Sequence, residues 1–224
     1  MRGKAGVLRF CRVPTDLVEI DSQFPDADAL DRAAEAIRAG RVVALPTDAL
    51  YALVADPFNL RAVREVYRAK GREINRALPL LVSDALMVED LAREITPRFR
   101  LLARRFWPGA LTMILTAAPG VPLRATGNTG RLAVRHAQSA VIDGLLERLG
   151  QPVIATSANI SGHPTCRSGI EVFGMMDGRV DLVLDGGFCG GGGATTVDIS
   201  GPEWRVIKEG AVSERELAEC LNLE

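Results

Sequence analysis

Apolar residues in this chain alternate between helical spacing and short continuous runs, and this alternation limits its fold more than any other feature. Residues 28–39 repeat apolar side chains at helical spacing, and the pattern stops at Gly40. Arg41 to Leu45 then forms an apolar run of strand length that ends at Pro46. Because the same exchange of helix and strand patterns recurs along the chain, we predict an α/β fold.

Further helix and strand patterns follow at spacings that suit one domain. Helices are predicted at 59–69, 84–93, 97–107 and 139–149, and from a Ser213 N-cap, with Glu216 completing a capping box, to about Leu221. Strands are predicted at 51–55, 78–82, 109–117, 131–135, 152–155, 182–184, 195–199 and 205–208. Strands follow strands near 109–135 and 182–208, so we expect a twisted, mixed parallel and antiparallel sheet flanked by helices. We expect residues 1–224 to form one domain with its core at about 25–210.

The charge balance restricts what the whole surface can bind. Lys and Arg number 27 against 28 Asp and Glu, which leaves a formal net charge of −1. Binding of nucleic acid or phosphate must therefore come from a local patch. The apolar stretches fall short of the roughly 18 residues of a membrane span, and Arg9 and Arg12 interrupt the apolar start of the chain. We therefore expect a cytoplasmic protein with no membrane partner.

The cysteines show no pattern of a metal site. Cys11, Cys166, Cys189 and Cys220 lie far apart, without a CxxC pair, in a chain that has only two His. A Cys/His zinc site is therefore not expected, and no metal ligand is predicted. Four reduced thiols are the simplest expectation for a cytosolic chain. Cys189, which lies in a glycine-rich segment, is the one candidate for reactivity.

A basic cluster is the first candidate ligand site. Its six cations fall within sixteen residues that hold only two acids, and they are Arg61, Arg64, Arg68, Lys70, Arg72 and Arg76. For the first three, a solvated helix face is the simpler interpretation. Lys70-Gly71-Arg72 is predicted to follow the helix in a loop, where a lysine point charge and a planar arginine fork would suit polyphosphate oxygens.

Two polar segments come directly after predicted buried strands. Thr47 and Asp48 would either hydrogen-bond a ligand beyond the strand end or form a turn. Residues 155–162 (ATSANISG) are rich in hydroxyl and amide groups. Because Ser157 has no GxSxG elbow and no clear base, a binding role suits it better than a nucleophilic one, and helix capping is the alternative.

An arginine pair and a glycine tract complete the candidates. Arg131 and Arg135 share one face of a strand, where one of them would reach a carboxylate or phosphate, or both would form salt bridges at the rim. Gly186 to Gly193 holds six glycines in eight residues. This tract lacks a GKS or GKT ending and does not match GxGxxG before a helix, so we expect a mobile flap rather than a phosphate-binding loop.

Five segments carry a resemblance to a known family. They are ALPTDALYAL (44–53), YRAKGR (67–72), FWPGALTMIL (106–115), RLAVRH (131–136) and PVIATSANISG (152–162). In order and spacing they resemble the YrdC/Sua5 family, the threonylcarbamoyl-AMP synthases. The resemblance covers nearly all of residues 25–210, and the chain is similar to the short form of the family. It implies a single YrdC-like α/β domain with a concave basic face.

The resemblance implies a nucleotidyltransferase. Its members join L-threonine, bicarbonate (or CO2) and ATP into threonylcarbamoyl-adenylate and release pyrophosphate, and a partner protein then transfers the threonylcarbamoyl group to an adenosine of tRNA. Lys70 and Arg72 are implied as the catalytic pair on the ATP phosphates. Further ATP contacts are implied at Arg76, Ser157, Asn159, Thr165 and Lys208, and substrate contacts at Thr47, Arg135 and Thr195, with Arg135 near the threonine carboxylate. Mg2+ is inferred only from the polyphosphate chemistry.

Several positions depart from the family's pattern. Ala49 and Ala52 replace a threonine and a glycine, Leu81 stands where a histidine is frequent, and Lys208 replaces an arginine. Most of these changes fall on the amino-acid side of the expected site. Two alternatives therefore stay open: a divergent enzyme that adenylates another carbamate, and a module that binds double-stranded RNA or tRNA without adenylation. RNA binding would weaken steeply with salt.

Overall fold

The helix and strand patterns of the sequence recur as helices and strands in the folded chain. The computed structural model describes residues 14–72 and 77–222. Its helices are α1 (Ala27–Arg38), α2 (Leu60–Lys70), α3 (Pro97–Phe106), α4 (Ala140–Leu149), α5 (Gly169–Met176) and α6 (Glu214–Leu221). Its strands are β1 (Asp16–Glu19), β2 (Val43–Leu45), β3 (Ala52–Ala55), β4 (Leu80–Leu81), β5 (Leu111–Thr116), β6 (Arg131–Arg135), β7 (Val153–Ser157), β8 (Leu182–Asp185), β9 (Thr195–Asp198) and β10 (Arg205–Lys208).

One mixed sheet organises the fold. Within the described residues, ten strands form it in the order β1-β8-β2-β3-β7-β4-β6-β5-β9-β10. β5 pairs antiparallel with β6, and β9 pairs antiparallel with β10, in the two regions where strands follow strands. β5 and β9 pair in parallel. The predictions of an α/β fold and of a mixed sheet are therefore confirmed.

Apolar layers cover both faces of the sheet. α1 and α4 pack on one face, where Ile37 and Leu145 belong to the same apolar cluster as Val43 of β2. The opposite cluster contains Val66 of α2 and the next residue of β2, Ala44. Successive residues of a strand point to opposite faces, which is why Val43 and Ala44 enter different layers. The candidate site described below opens on the face that α1 and α4 partly cover.

The α-helix predicted at 84–93 is wrong. This segment folds as successive turns, and the Asp84 carboxylate accepts a backbone hydrogen bond in the first of them. Ala92 forms an isolated antiparallel bridge with Ala117. The turns still bury Val88 completely. The apolar spacing that suggested a helix is thus satisfied by packing, without a continuous helical hydrogen-bond ladder.

Two elements lie outside the predicted set. α5 begins at Gly169 and contains Gly174, and glycine lowers helix propensity by about 1 kcal/mol relative to alanine. Its N-terminus is stabilised by Ser168, whose hydroxyl accepts from a backbone N–H of the first turn. β1 is a mostly exposed strand at the edge of the sheet, so its sequence shows no buried run.

Neither a membrane helix nor a cysteine pair is found in the described residues. No helix within 14–72 and 77–222 is long and apolar enough to cross a bilayer. Cys166, Cys189 and Cys220 carry free thiols, and Cys11 lies outside the described residues. Burial raises the pKa of the Cys189 thiol, which is typical of an unreactive cysteine. The structure therefore argues against the reactivity suggested for Cys189.

Candidate active site

Two segments that are far apart in the sequence meet at the end of α2. Lys70 is the last residue of that helix, and Gly71 caps it with a left-handed φ of 59°. The Lys70 ammonium donates to the Ser157 carbonyl at 2.5 Å and to Asn159 Oδ1 and O at 2.9 and 3.1 Å. Ser157 Oγ lies 3.3 Å from the same nitrogen. Lys70 is thus a helical residue and not the loop residue expected, and it touches the amide-hydroxyl segment directly.

The segment after β7 has hydrogen bonds of its own. Ser157 Oγ donates to Asn159 Oδ1 at 2.7 Å, and Asn159 Nδ2 donates to the His163 carbonyl at 2.5 Å. Ser157 caps no helix, because the next helix, α5, has Ser168 as its N-cap. The helix-capping interpretation of this segment is therefore wrong. Its hydroxyl and amide groups form a compact polar loop at the end of a strand.

Strand register aligns a row of side chains across β6, β5, β9 and β10. In the antiparallel register of β5 with β6, Met113 pairs with Val134, and the next position along brings Thr112 opposite Arg135. Thr112 pairs with Thr196, and Thr196 pairs with Lys208. On the other side of Arg135 the partner is Leu81 of β4. Because paired residues point to the same face of a sheet, these five side chains project from one face.

The amide-hydroxyl loop and this row open on one shared cavity of about 250 Å³. Its polar lining consists of Thr47, Thr112, Arg135, Thr156, Ser157, Thr196 and Lys208, and its apolar lining includes Ala49, Ala52, Leu81 and Ala155. Lys70 is only 3% exposed and lies behind the loop rather than in the cavity wall. The cavity thus joins cations from one half of the sheet to hydroxyl groups from the other.

An ion pair holds the arginine of this cavity. Arg135 Nη2 donates to Asp48 Oδ2 at 2.6 Å, and its Nε donates to the Gly109 carbonyl at 2.8 Å. Burial lowers the pKa of Arg135, and the neighbouring Asp48 carboxylate opposes that shift. Asp48 Oδ1 is buried, and it has no hydrogen-bond partner within the described residues. Asp48 therefore positions Arg135, and the ion pair links the turn after β2 to β6 beside the cavity.

The other arginine of β6 has a different role. Arg131 Nη1 forms a 2.6 Å ion pair with Asp198, which Arg205 also approaches at 3.4 Å. Arg131 is about half exposed at the far end of the strand. Of the two interpretations of the arginine pair, a salt bridge at the rim is confirmed for Arg131. Arg135 alone reaches the cavity.

Thr47 takes part in a turn, which was one of the two roles predicted for it. Its Oγ1 donates to the Leu50 carbonyl at 2.6 Å and accepts from Ala49 N at 3.1 Å. The residue also lines the cavity. Its hydroxyl therefore shapes the turn, and substrate contact by Thr47 stays a prediction.

Two further predicted contacts lie away from the cavity wall. Thr195 is 0% exposed, and its hydroxyl donates to the Val212 carbonyl at 2.5 Å and accepts from Val212 N at 3.1 Å. The adjacent Thr196 takes the cavity position instead, because successive strand residues point to opposite faces. Thr165 is half-buried between β7 and α5 and is not in the cavity lining.

Two cations of the basic cluster, Arg72 and Arg76, follow α2. Arg72 is half-buried, donates to the Ala77 carbonyl at 3.3 Å and lies 6.0 Å from the Tyr67 ring centroid. Arg76, predicted to contact ATP, lies outside the described residues. Phosphate binding by Arg72 and Arg76 stays a prediction.

The first three arginines of the basic cluster lie on a solvated helix face, as predicted. Arg61, Arg64 and Arg68 are exposed. Arg68 forms a 2.6 Å ion pair with Glu65, one turn away. Exposed pairs of this kind contribute about 0–1 kcal/mol to stability. None of the three lines the cavity.

Thr112 and Thr196 are site residues that the sequence analysis did not identify. Thr112 is 7% exposed in a strand whose other residues are mostly apolar. A polar residue inside such a run was the available signal. For Thr196 no local signal exists, because only the pairing of β9 with β5 and β10 places it in the row.

The glycine tract, residues 186–193, is hydrogen-bonded to Tyr51 at its start and passes close to the cavity rim further along. Tyr51 Oη accepts from Gly186 N at 2.9 Å and donates to the Gly187 carbonyl at 2.8 Å. Further along the tract, a Cβ built on Gly191 would lie 2.3 Å from the Asp48 carbonyl. The tract therefore passes directly over the turn that contains Thr47 and Asp48. Its mobility stays a prediction.

Tyr51→Phe should lower the free energy of unfolding by about 1–2 kcal/mol, because Gly186 N–H loses its acceptor in a partly buried position. Urea unfolding measures that loss, and amide hydrogen exchange measures the order of residues 186–191. Tyr67→Phe is the control, since its hydroxyl donates to Arg124 O at 3.2 Å, away from the tract. If amide hydrogen exchange of residues 186–191 is the same in Tyr51→Phe as in the wild type, the Tyr51 hydroxyl does not hold the tract in place.

Known proteins share this sequence pattern and this fold. A family profile described as "Telomere recombination", which covers Sua5, YciO and YrdC proteins, matches residues 35–210. The chain belongs to the Sua5/YciO/YrdC family. Threonylcarbamoyl-AMP synthase of Bacillus subtilis is 35% identical over 189 residues, which are 84% of this chain and 53% of that protein. A putative threonylcarbamoyl-AMP synthase of Mycobacterium tuberculosis is 34% identical over 190 residues, 84% of this chain and 87% of that protein.

A solved structure of the family superposes closely on this chain. Sua5 of P. abyssi, crystallised in complex with L-threonine, matches with a TM-score of 0.88 at 31% identity, over 92% of this chain and 61% of that chain. The chain thus spans about half the length of some of the curated relatives that it matches. Family membership is therefore established for the fold and for most of the sequence.

The departures from the Sua5/YciO/YrdC pattern cluster in space. Ala49, Ala52 and Leu81 all line the cavity, and each is less than 8% exposed. Lys208 lines it as well. These changes were predicted on the amino-acid side of the site, and they lie in the same cavity as Arg135. The wall near Arg135 is consequently apolar in part.

Proposed function

We propose that this Sua5/YciO/YrdC protein is a threonylcarbamoyl-AMP synthase, a nucleotidyltransferase that forms threonylcarbamoyl-adenylate from L-threonine, bicarbonate (or CO2) and ATP. The observation that carries the proposal is the shared cavity, in which Ser157 faces the same space as Arg135 and Lys208. The names of the relatives support this activity. The L-threonine in the Sua5 crystal supports threonine as the amino acid.

The chemistry of adenylation suits a site without a protein nucleophile. A carbamate oxygen would attack the α-phosphorus of ATP, and the bond from that phosphorus to the oxygen bridging to the β-phosphorus would break, so that pyrophosphate leaves. Such a reaction needs positioning and neutralisation of negative charge. Arg135 and Lys208 would supply cations on one wall, and Ser157 lies on the opposite wall.

Mg2+ suits this site as an ion that accompanies ATP. Among the residues that the structure describes, no group of three or more His, Cys, Asp or Glu side chains is arranged to hold a metal ion. Mg2+ commonly keeps several waters and binds substrate phosphates with few protein ligands. Hydroxyl oxygens of the cavity lining, such as those of Thr112 and Thr196, are the groups that would contact it. When bound, it would neutralise phosphate charge.

A product assay tests the proposed function. The protein is incubated with ATP, Mg2+, bicarbonate and L-threonine, and pyrophosphate and the adenylate are detected by enzymatic coupling and mass spectrometry. We expect both products, and neither when threonine is omitted. ATP binding without product in the presence of any amino acid would contradict the proposal.

Lys208→Met should weaken ATP binding about 10-fold or more, because it removes a charged donor from the cavity wall. Isothermal titration with ATP and Mg2+ measures the affinity. Arg61→Met is the matched control, since Arg61 is an exposed cation of α2 that is not part of the cavity lining. Equal affinities in the two variants would exclude Lys208 as an ATP contact.

A second amino-acid substrate is favoured by one specific observation. Ala52 and Leu81 place apolar side chains in the cavity beside Arg135. A carbamate with an apolar side chain would bury against these residues, whereas the threonine hydroxyl would meet fewer polar partners. The product assay with leucine or valine in place of threonine separates the two substrates. A higher rate with an apolar amino acid would favour the divergent enzyme.

The partners follow from the proposed reaction. The adenylate would be consumed by proteins that transfer the threonylcarbamoyl group to tRNA, in the cytoplasm expected from the sequence. RNA binding without adenylation would depend on exposed cations such as Arg61 and Arg64. In that case the wild-type protein would bind RNA and no ATP, and Arg61→Met would weaken the RNA binding. Its RNA affinity would also fall steeply with salt.

A further inference from the structure

We propose that Lys70 is a positioning residue, which holds residues 157–161 in their ligand-binding shape through contacts with protein oxygens instead of touching the substrate phosphates. This deepens the proposed function and rests on it only for the identity of the ligand. It differs from the catalytic contact with ATP that the sequence implied for Lys70.

The contacts of the ammonium carry the inference. An ammonium has three protons, and three protein oxygens lie within 3.1 Å of Lys70 Nζ: Ser157 O, Asn159 O and Asn159 Oδ1. Ser157 Oγ is a fourth neighbour at 3.3 Å. The donors of Lys70 are therefore already used by the loop. A phosphate oxygen could bind only if one of these contacts broke.

The main chain of Lys70 reinforces the same connection. Ser161 N donates to the Lys70 carbonyl at 2.9 Å. The side chain thus holds the start of the loop and the carbonyl holds its end. The left-handed Gly71 turns the chain away directly after Lys70. One residue at the end of α2 therefore contacts both ends of the polar loop.

Electrostatics explains why a cation is needed at this point. The three oxygens converge on one point, and without a positive charge their partial negative charges would repel one another. An uncharged side chain would also leave the Asn159 carbonyl, which has Lys70 as its donor, without a hydrogen bond in a buried position, which is unfavourable. The Lys70 ammonium removes both penalties. Ser157 and Thr156 then keep their positions in the cavity wall.

Burial separates Lys70 from the cavity. Lys70 is 3% exposed and is not in the cavity lining, whereas Lys208 is exposed and lines it. Of the two lysines, Lys208 is therefore the one that is available for direct contact with a ligand. The two lysines form a natural pair for experiments, because one lies behind the loop and the other lies in the open cavity.

Hydrogen exchange in nucleotide-free protein tests the proposal directly. Lys70→Met should accelerate amide exchange of residues 157–161 by about 10-fold or more, because a charged donor with several acceptors is lost. Lys208→Met should leave that exchange at the wild-type rate. Exchange of α4 reports whether Lys70→Met folds globally. Normal exchange at 157–161 in a folded Lys70→Met protein would overturn the proposal.

Binding of three probes separates positioning from direct phosphate contact. A positioning role predicts that Lys70→Met weakens the binding of adenosine and the binding of ATP by similar factors, because the loop is disordered in the variant. A phosphate contact predicts a loss for ATP and tripolyphosphate with adenosine unchanged, which would overturn the proposal. Because the exchange measurement needs no ligand, its result stands even if the protein binds no ATP and the proposed function fails.

A pH series provides a readout that needs no variant. Burial, reinforced by Arg72, lowers the pKa of Lys70 to about 8, and Cys166 acts in the opposite direction. Arg72 stays charged throughout, and burial raises the pKa of the Cys166 thiol. Above pH 8 the neutral amine has two protons for at least three oxygens. Exchange of 157–161, corrected for its intrinsic pH dependence, should therefore rise as the Lys70 ammonium loses its proton, and a profile that stays flat up to the pH at which the protein unfolds would overturn the proposal.

Discussion

Asp48→Asn should lower the free energy of unfolding by about 3 kcal/mol, because it leaves the Arg135 guanidinium without its counter-charge in a mostly buried position. The two side chains are 17% and 10% exposed, and the ion pair measures 2.6 Å. Arg135 is also held by the Gly109 carbonyl, so it cannot turn freely toward solvent. Urea unfolding at constant m measures the change.

A double variant tests whether the loss of stability in Asp48→Asn comes from the unpaired charge of Arg135. Asp48→Asn combined with Arg135→Met should be more stable than Asp48→Asn alone, because the replacement of Arg135 by Met removes the buried charge that Asp48→Asn leaves unpaired. Substrate binding should be lost in the double variant, since Arg135 lines the cavity. If Asp48→Asn unfolds like the wild type, or if the two changes are additive, the ion pair does not contribute as argued.

Gly191→Ala should lower stability by about 3 kcal/mol and weaken ligand binding at the same time. A Cβ at this position would lie 2.3 Å from the Asp48 carbonyl and 2.8 Å from Ala49 Cα. These are backbone atoms, which cannot rotate aside, so the turn at 47–50 or the glycine tract must move. Thr47 and Ala49 line the cavity, and the displacement therefore reaches the ligand.

The adjacent glycine is the matched control. A Cβ built on Gly192 meets no atom within 4 Å. Gly192→Ala should therefore change stability by less than about 0.5 kcal/mol and leave ATP affinity at the wild-type value. Thermal unfolding and ATP titration of both variants give the comparison. Similar losses in the two variants would show that general stiffening of the tract, and not contact at Gly191, is responsible.

Much of the fold could be predicted from local pattern. The spacing at 28–39 and 139–149 corresponds to α1 and α4, and Ser213 with Glu216 forms the capping box of α6. Such features depend on neighbours within one or two helical turns. The 84–93 segment was predicted incorrectly because its apolar residues are spaced like a helix but are buried by turns. Periodicity alone does not distinguish these cases.

The candidate site was predictable in its residue types but not in its contacts. Ser157, Arg135 and Lys208 were identified from motifs, and the structure places all three on one cavity. The inward orientation of Lys70 could not be foreseen, because it depends on the loop that folds over it. Thr196 was assigned to the cavity only by strand register, which also removed Thr195 from it.

The sequence alone determines the order of helices and strands. It also determines which cations, hydroxyls and amides lie near strand ends, because hydrophobic periodicity and residue type are local properties. The tertiary structure alone decided that Asp48 meets Arg135 across 87 residues and that Lys70 is enclosed by residues 157–161. Those contacts depend on which strands pair and in which register. Strand pairing minimises the free energy of the whole sheet, so no single segment encodes it.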